Sequence, residues 1–402
     1  MPHTGLLRHD QTLFRDPDVF EPTYLPEHLH HRDAQVQEIA FLLQPALRGG
    51  SALSAVLRGL PGTGKTTTVR RVFAAITEET RRVAPVYVNC RHDHSALAVY
   101  RSIFRQVCGY PAGRHLDEIK QGIAARLRDR DAALVVCLDD ADELIVAGIY
   151  NTILYQILRL YEKWDVRKAG VFAVTSDLAR NLYAEADASV RSVFHPTEVT
   201  FWPYTKTEIR EILTDRVRQG LYPRVISKVL IDRIATIAAS EQDIRVGIDL
   251  LRGAVQRTEE DGRRRVTPGD LAAAARAVTA PALQAKTARL SDDERVLLLR
   301  IAETSVEGAG MAVGAVFEAA QDYPAIGRTA CHDHLNALAK AGIIDLVPGT
   351  GRGRGRATHL RYEPDDVAAT CTAAKKTGSI VNPDPAGIRD SRPVTRDLPF
   401  CE

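Results

Sequence analysis

Short runs of apolar, β-favouring residues recur through the first half of the chain: Ala55 to Leu57, Pro85 to Cys90, Ala133 to Asp139, Gly170 to Ser176 and Glu198 to Trp202. Helical stretches separate them. Strands alternating with helices build a parallel sheet flanked by helices, so this half predicts an α/β fold. From Thr205 to about Val278 the β-rich runs stop. Apolar residues then recur at helical spacing in TKTEIREILTDRV, SKVLIDRIATIAA and IRVGIDLLRGAVQ, which predicts an all-helical module.

After the proline-containing TAPALQAK, the segment SDDERVLLLRIAE opens a new helix, because Ser291 and Glu294 have the spacing of a capping box. A domain boundary is expected near residue 280. Residues 291–365 then read as three helices and two short strands, IIDLV and HLRYE, around the turn PGTGRGRGRAT, the order of a winged helix. Beyond Ala368 there are several prolines, few large apolar residues and no periodicity, so little burial offsets the entropy of ordering the chain. The expected plan is 1–204 for the sheet domain with an N-terminal arm, 205–280 for a helical lid, 285–366 for the winged helix and 367–402 for a mostly disordered tail.

At 402 residues the chain is long enough for several modules. Its 45% apolar and 26% charged residues are ordinary for globular proteins. No run of about 18 apolar residues is present to span a bilayer, and the N-terminus lacks the layout of a secretory signal, so a cytoplasmic protein is expected. Six widely spaced cysteines suggest reduced thiols. A formal charge of only +2 means that nucleic-acid binding has to be argued from local patches.

The strongest chemical signal is Gly59-Leu60-Pro61-Gly62-Thr63-Gly64-Lys65-Thr66, a P-loop between a strand and the helical TTTVRRVF. Its glycines let backbone N–H groups converge on phosphates at a helix N-terminus; Lys65 adds a positive charge, and Thr66 offers a hydroxyl to Mg²⁺. Downstream, the strand ALVVCL ends in Asp139-Asp140-Ala141-Asp142, with carboxylates at the edge where such a sheet binds ligand. Asp139 is the expected Mg²⁺ partner. Asp140 stands where a glutamate normally polarises the attacking water, and its shorter reach predicts slow hydrolysis. Asp142 and Glu143 read equally well as acidic residues favouring a helix N-terminus. Cys90-Arg91-His92-Asp93-His94 lacks the paired spacing of a zinc site, and no hydrolase triad is implied.

Taken in order, these motifs resemble the archaeal initiators of the cell division control protein 6 and origin recognition complex family, AAA+ ATPases, over roughly residues 10 to 365. The resemblance implies that the box around Tyr24, Pro26 and Arg32 surrounds adenine. It implies that Ser176, after Thr175 in VFAVTSD, is a γ-phosphate sensor where the family usually has Asn, a second departure pointing to slow hydrolysis. It also implies that Arg245, in QDIR, is the lid arginine that contacts the γ-phosphate. Thr67 and Tyr204 complete the expected nucleotide contacts, with ATP or ADP and Mg²⁺ as cofactors. Relatives place a trans-acting arginine near Asp187–Ser192, where Ser189 takes its usual position and Arg191 is a substitute. A monomer that assembles only on DNA is therefore expected. VCGYPAGRHL, with Arg114, is a candidate for the family's extra DNA-binding insertion.

On the third C-terminal helix Thr329, His332, Asn336 and Lys340 share one face, opposite Cys331, Leu335 and Leu338. Beside it, Arg352, Arg354 and Arg356 alternate with glycines on a slim hairpin suited to a minor groove or to phosphates. Two readings lead, ahead of a third in which the chain uses ATP to load or remodel another protein and against which, as a sole function, the basic hairpin argues. One is a replication initiator that binds double-stranded origin DNA, recruits the replicative helicase and uses ATP and ADP as a switch that sets the angle between core and winged helix. The other is a sequence-specific DNA-binding or transcription-regulating protein whose nucleotide does not cycle.

Overall fold

Strands and helices alternate from Asp33 onward, as the apolar runs require. The structure is a computed structural model that describes residues 12–305, 311–320, 328–348, 356–362 and 364–377. It divides into two units at Ala274.

In the first unit α1 (Asp33–Leu47) precedes β1 (Ala55–Arg58), α2 (Lys65–Glu79), β2 (Val83–Asn89), α3 (Ala96–Cys108), α4 (Leu116–Asp129) and β3 (Ala133–Asp139). Then α5 (Asp142–Val146), α6 (Tyr150–Leu158) and α7 (Leu160–Lys163) lead to β4 (Gly170–Thr175), and α8 (Ala188–Arg191) leads to β5 (Thr197–Thr200). The strands are parallel, in the order β2-β3-β4-β1-β5. All of β3 is buried, and its side chains alternate between two cores. Leu134, Val136 and Leu138 join Ile103, Ile123 and Ile153 on one face. Val135 and Cys137 join Val69, Phe73 and Phe172 on the other. An unbroken apolar run is thus the signature of a strand covered on both sides.

The helical module contains α9 (Lys206–Gly220), α10 (Lys228–Ser240) and α11 (Ile244–Glu260), and α9 starts at a capping box of Thr205 and Glu208. The N-terminal arm, grouped with residues 1–204 by the sequence, hydrogen-bonds to this module. Arg15 N donates to Gly220 O at 2.9 Å, and Arg15 Nη2 donates to Arg218 O at 2.8 Å. The last carbonyls of any helix lack intrahelical donors, and the arm supplies them here.

α12 (Pro268–Thr287) is one helix that contains Pro281, so the boundary expected near residue 280 falls inside a helix. A proline removes one N–H and crowds the preceding turn, but the alanine-rich LAAAARAVTA around it has the strongest helical preference available.

The second unit continues with α13 (Asp292–Thr304), β6 (Met311–Ala312), α14 (Val313–Ala320), α15 (Arg328–Lys340), β7 (Ile344–Pro348), β8 (Arg356–Leu360) and α16 (Pro364–Thr377). The Ser291–Glu294 capping box is present. β7 and β8 pair antiparallel, and β6 adds a third strand that the sequence did not announce. The second hairpin strand starts at Arg356, three residues before the expected His359. The tail expected from residue 367 is corrected in part: Pro364–Thr377 is helical, with Val367 and Cys371 buried against Leu298 and Ile301. Residues 378–402 lie outside the described residues.

Among the described residues no helix is long and apolar enough to cross a membrane. Cys90, Cys108, Cys137, Cys331 and Cys371 are free thiols.

Candidate functional site

Because the strands are parallel, β1, β3 and β4 end at one edge of the sheet; Arg58 is level with Thr175, and Leu138 with Ala173. The P-loop leaves β1 at that edge and enters α2 at Lys65. Gly62 (φ +71°) and Gly64 (φ +88°) are left-handed, which other residues adopt at a cost. Space excludes a side chain as well: a Cβ on Gly62 would lie 1.9 Å from Asp243 Oδ1, and one on Gly64 would lie 2.7 Å from the Tyr204 hydroxyl. No side chain caps α2, so its first N–H groups and helix dipole are left for an anion.

Lys65 is buried, and its Nζ donates to the carbonyls of Gly59 (2.6 Å) and Leu60 (2.8 Å). Burial pulls its pKa down to about 8, with Asp139 opposing the shift. Thr63 is fully buried, and its hydroxyl donates to Leu60 O at 2.8 Å. Thr67 is half-buried on the first turn of α2. At the end of β3, Asp139 Oδ2 accepts from Thr66 Oγ1 and from Tyr87 OH, each at 2.7 Å. Burial raises the pKa of Asp139, and those two hydroxyls hold it down. A hydroxyl and a carboxylate in contact are hard oxygen donors, so Thr66 and Asp139 fit Mg²⁺.

Asp140 has φ +53°, a left-handed backbone that Asp tolerates better than Glu, and its carboxylate pairs with Arg91 Nε at 2.8 Å. Arg91 also lies 3.7 Å from Glu143. Ser176 is half-buried just beyond β4. Thr175 is fully buried, and its hydroxyl donates to Asp142 Oδ2 at 2.8 Å; burial raises the pKa of Asp142. Asp142 and Glu143, left open by the sequence, thus have Thr175 and Arg91 as partners.

Arg32 is buried, with Nε donating to Thr63 O (2.9 Å), Nη2 donating to Trp202 O (2.8 Å) and its guanidinium 3.7 Å from the Tyr204 ring centroid. It ties the P-loop to the segment entering α9. Tyr24 is elsewhere, its hydroxyl donating to Gln219 Oε1 at 2.6 Å and its ring 4.3 Å from the Arg216 guanidinium, while Pro26 is half-buried nearby in sequence. The structure therefore brings Arg32, Tyr204, Thr63 and Gly64 together and holds Tyr24 on the last turn of α9. Arg245, on the first turn of α11, pairs with Asp243 at 2.6 Å.

In the second unit Thr329, His332, Asn336 and Lys340 are all exposed on α15, while Cys331, Leu335 and Leu338 are buried. Asn336 Nδ2 and His332 Nδ1 lie 2.9 Å apart. Arg352 and Arg354 lie outside the described residues, and Arg356 opens β8. In the first unit Arg114 is exposed between α3 and α4, and Arg191 is exposed on α8.

Comparison with known proteins accounts for this arrangement. Residues 48–182 match the AAA domain model, and residues 210–276 match the Cdc6 AAA+ ATPase-type lid domain. ORC1-type DNA replication protein 2 of Methanosarcina acetivorans is 35% identical over 372 residues, covering 91% of this chain and 98% of that protein. The chain belongs to the archaeal ORC1/Cdc6 family of AAA+ DNA replication proteins. Among solved structures, Aeropyrum pernix ORC1 in complex with DNA is 25% identical with a TM-score of 0.60, covering 92% of this chain and all of that one. Cdc6p from Pyrobaculum aerophilum is 26% identical with a TM-score of 0.61, covering 91% of this chain and all of that one.

Several residues of this family member's site were missed in the sequence. Tyr87 sits in an apolar strand, and nothing in VYVN announces its bond to Asp139. Arg91 lies among Cys90, His92, Asp93 and His94, a stretch with no motif that marks an arginine for a carboxylate. Asp243, in QDIR, had a readable signal, because an Asp before an amphipathic helix is an N-cap. Its contact with Gly62, 181 positions earlier, has no local signal.

Proposed function

We propose that the chain is a replication initiator that binds double-stranded origin DNA through its second unit and uses ATP and ADP as a slow switch in recruiting the replicative helicase. The observation that carries this reading is the convergence of Lys65, Thr66, Asp139 and Arg245 around the uncapped N-terminus of α2. The P-loop N–H groups and Lys65 hold the phosphates, and Arg245 reports the third phosphate from the lid. Thr66 and Asp139 hold Mg²⁺, which when bound neutralises phosphate charge. Asp140 orients the attacking water, with Ser176 supporting it. Arg32 and Tyr204 hold the loop in shape, and Tyr24 and Pro26 remain the candidates for the adenine side.

The exposed face of α15 and the arginines at 352, 354 and 356 form the duplex-binding surface. Support comes from the solved DNA complex of the A. pernix relative. The protein is a monomer that assembles on DNA, because Arg191 is a poor substitute for a trans-acting arginine.

One observation favours the second reading, a DNA-binding regulator with a nucleotide that does not cycle: Arg91 pairs with the Asp140 carboxylate at 2.8 Å and so competes for the oxygens that would orient the attacking water. Single-turnover hydrolysis with and without duplex separates the two. Formation of ADP that DNA alters supports the switch, and no ADP over hours with DNA binding intact supports the regulator. Purified protein that carries no nucleotide and takes up none with Mg²⁺ removes both.

A further inference from the structure

Arg245 is held unusually for an arginine on a helix surface. Charged pairs on helices normally join residues three or four apart, whereas here the partner, Asp243, lies two residues back, at the N-cap of α11. Asp243 Oδ1 accepts the backbone N–H of Arg245 at 2.9 Å, which is the helix cap. Arg245 Nε donates to both carboxylate oxygens at 3.0 Å each, and Nη2 donates to Oδ2 at 2.6 Å. The same carboxylate rests on Gly62, so closely that a Cβ there would meet its Oδ1 at 1.9 Å and its Cγ at 2.3 Å.

We propose that Asp243 is a positioning residue that seats the lid arginine on the P-loop: it caps α11, folds the Arg245 guanidinium back over the helix start and rests it against Gly62. This deepens the nucleotide-switch reading and rests on it. The donor count favours positioning over sequestration. A guanidinium carries five N–H donors, and Asp243 engages only Nε–H and one Nη2 hydrogen, leaving the rest of the fork for an anion. Asp243 is mostly covered while Arg245 keeps 61% of its side chain exposed, so the clamp is packed and the fork is open. Arg245 also shares its surroundings with Lys65 and Asp140, the groups assigned to the phosphates and the water. Preorganising a cation before the phosphate arrives removes the ordering cost at the moment of binding. It follows that Gly62 is required by the lid as much as by the phosphates.

The test separates the cap from the clamp. Asn caps a helix as well as Asp but carries no charge, so Asp243→Asn keeps α11 and loosens the guanidinium. The full-length wild type, Asp243→Asn, Arg245→Ala and the double variant are titrated with ADP and with a non-hydrolysable ATP analogue in Mg²⁺. Arg245→Ala should lower the preference for triphosphate over diphosphate about 30-fold, the worth of one charge-assisted contact. Asp243→Asn should lower it about 10-fold, with ADP affinity and the thermal midpoint unchanged. The double variant should be no worse than Arg245→Ala alone, because both act through one group. A wild-type triphosphate preference in Asp243→Asn, or losses that multiply in the double variant, overturns the positioning role and leaves the switch reading standing. A wild type that binds neither nucleotide removes both.

Discussion

At the sheet edge, Lys65 and Asp139 each keep only 6% of their surface exposed, and the Lys65 ammonium, Thr66 hydroxyl and Asp139 carboxylate all have partners within the protein. Along α15, Thr329, His332, Asn336 and Lys340 face solvent, and Asn336 Nδ2 lies 2.9 Å from His332 Nδ1. Under the proposed function the contrast follows from the ligands. A phosphate group is small and highly charged, so a buried, preorganised set of donors binds it best; taking those donors out of water unpaired would cost several kcal/mol, on the order of 2–7 each. A duplex is long and carries its own counterions, so the groups that meet it must stay solvated until it arrives.

Four experiments would break or sharpen that contrast. Replacing Arg352, Arg354 and Arg356 together by Ala should weaken duplex binding by about 100-fold or more and reduce the salt slope by about 2.7, since each lost phosphate contact removes about 0.9. Nucleotide binding should not change. An unaltered salt slope in fluorescence anisotropy would take the DNA role away from the hairpin. Next in size, Lys65→Ala should cost about 30-fold in ATP affinity by calorimetry, the value of a charge-assisted contact, while DNA affinity in the absence of nucleotide stays put. Loss of both would show that the two ends are not separable.

A gain is expected from Asp140→Glu. The longer carboxylate reaches further towards the attacking water, and single-turnover hydrolysis should rise about 10-fold, offset in part by roughly 1 kcal/mol of strain at φ +53°. A rate that falls instead would mean that the backbone at 140 matters more than the reach.

The smallest effect concerns the lid. Asp270 is buried beside Arg263 and accepts the N–H of Thr267 at 2.8 Å; the Arg263 guanidinium holds its carboxyl well below the usual carboxylate range. A carboxylate whose pKa falls on folding contributes stability that is complete above its unfolded value, near 3.8, and is lost as pH drops through the folded value. The thermal midpoint should therefore decline below about pH 4, and Arg263→Ala should flatten that decline. A midpoint equally acid-sensitive in the variant would assign the decline to other carboxylates.

Much of the sheet domain was readable because its signals are local. Ala133–Leu138 is buried on both faces and so has no charged position, and the P-loop is defined by contiguous residues. The helix at Pro364–Thr377 had a readable start, a proline followed by Asp365 and Asp366 in the first turn, which composition outweighed. The helix through Pro281 was not readable, because the usual effect of proline is to end one. The bonds from Tyr87 to Asp139 and from Arg91 to Asp140 were invisible for another reason. Each joins the ends of neighbouring strands that the chain reaches some 50 residues apart.

The order of modules, the phosphate loop, the acidic strand end and the polar face of α15 came from the residues alone, since each depends on spacing within one segment. Tertiary structure decided which groups those segments meet. It set Asp243 against Gly62, Arg32 between Thr63 and Tyr204, and Arg91 on Asp140. Periodicity within a segment says which face is buried, and only the packing of separate segments says which atoms share that burial.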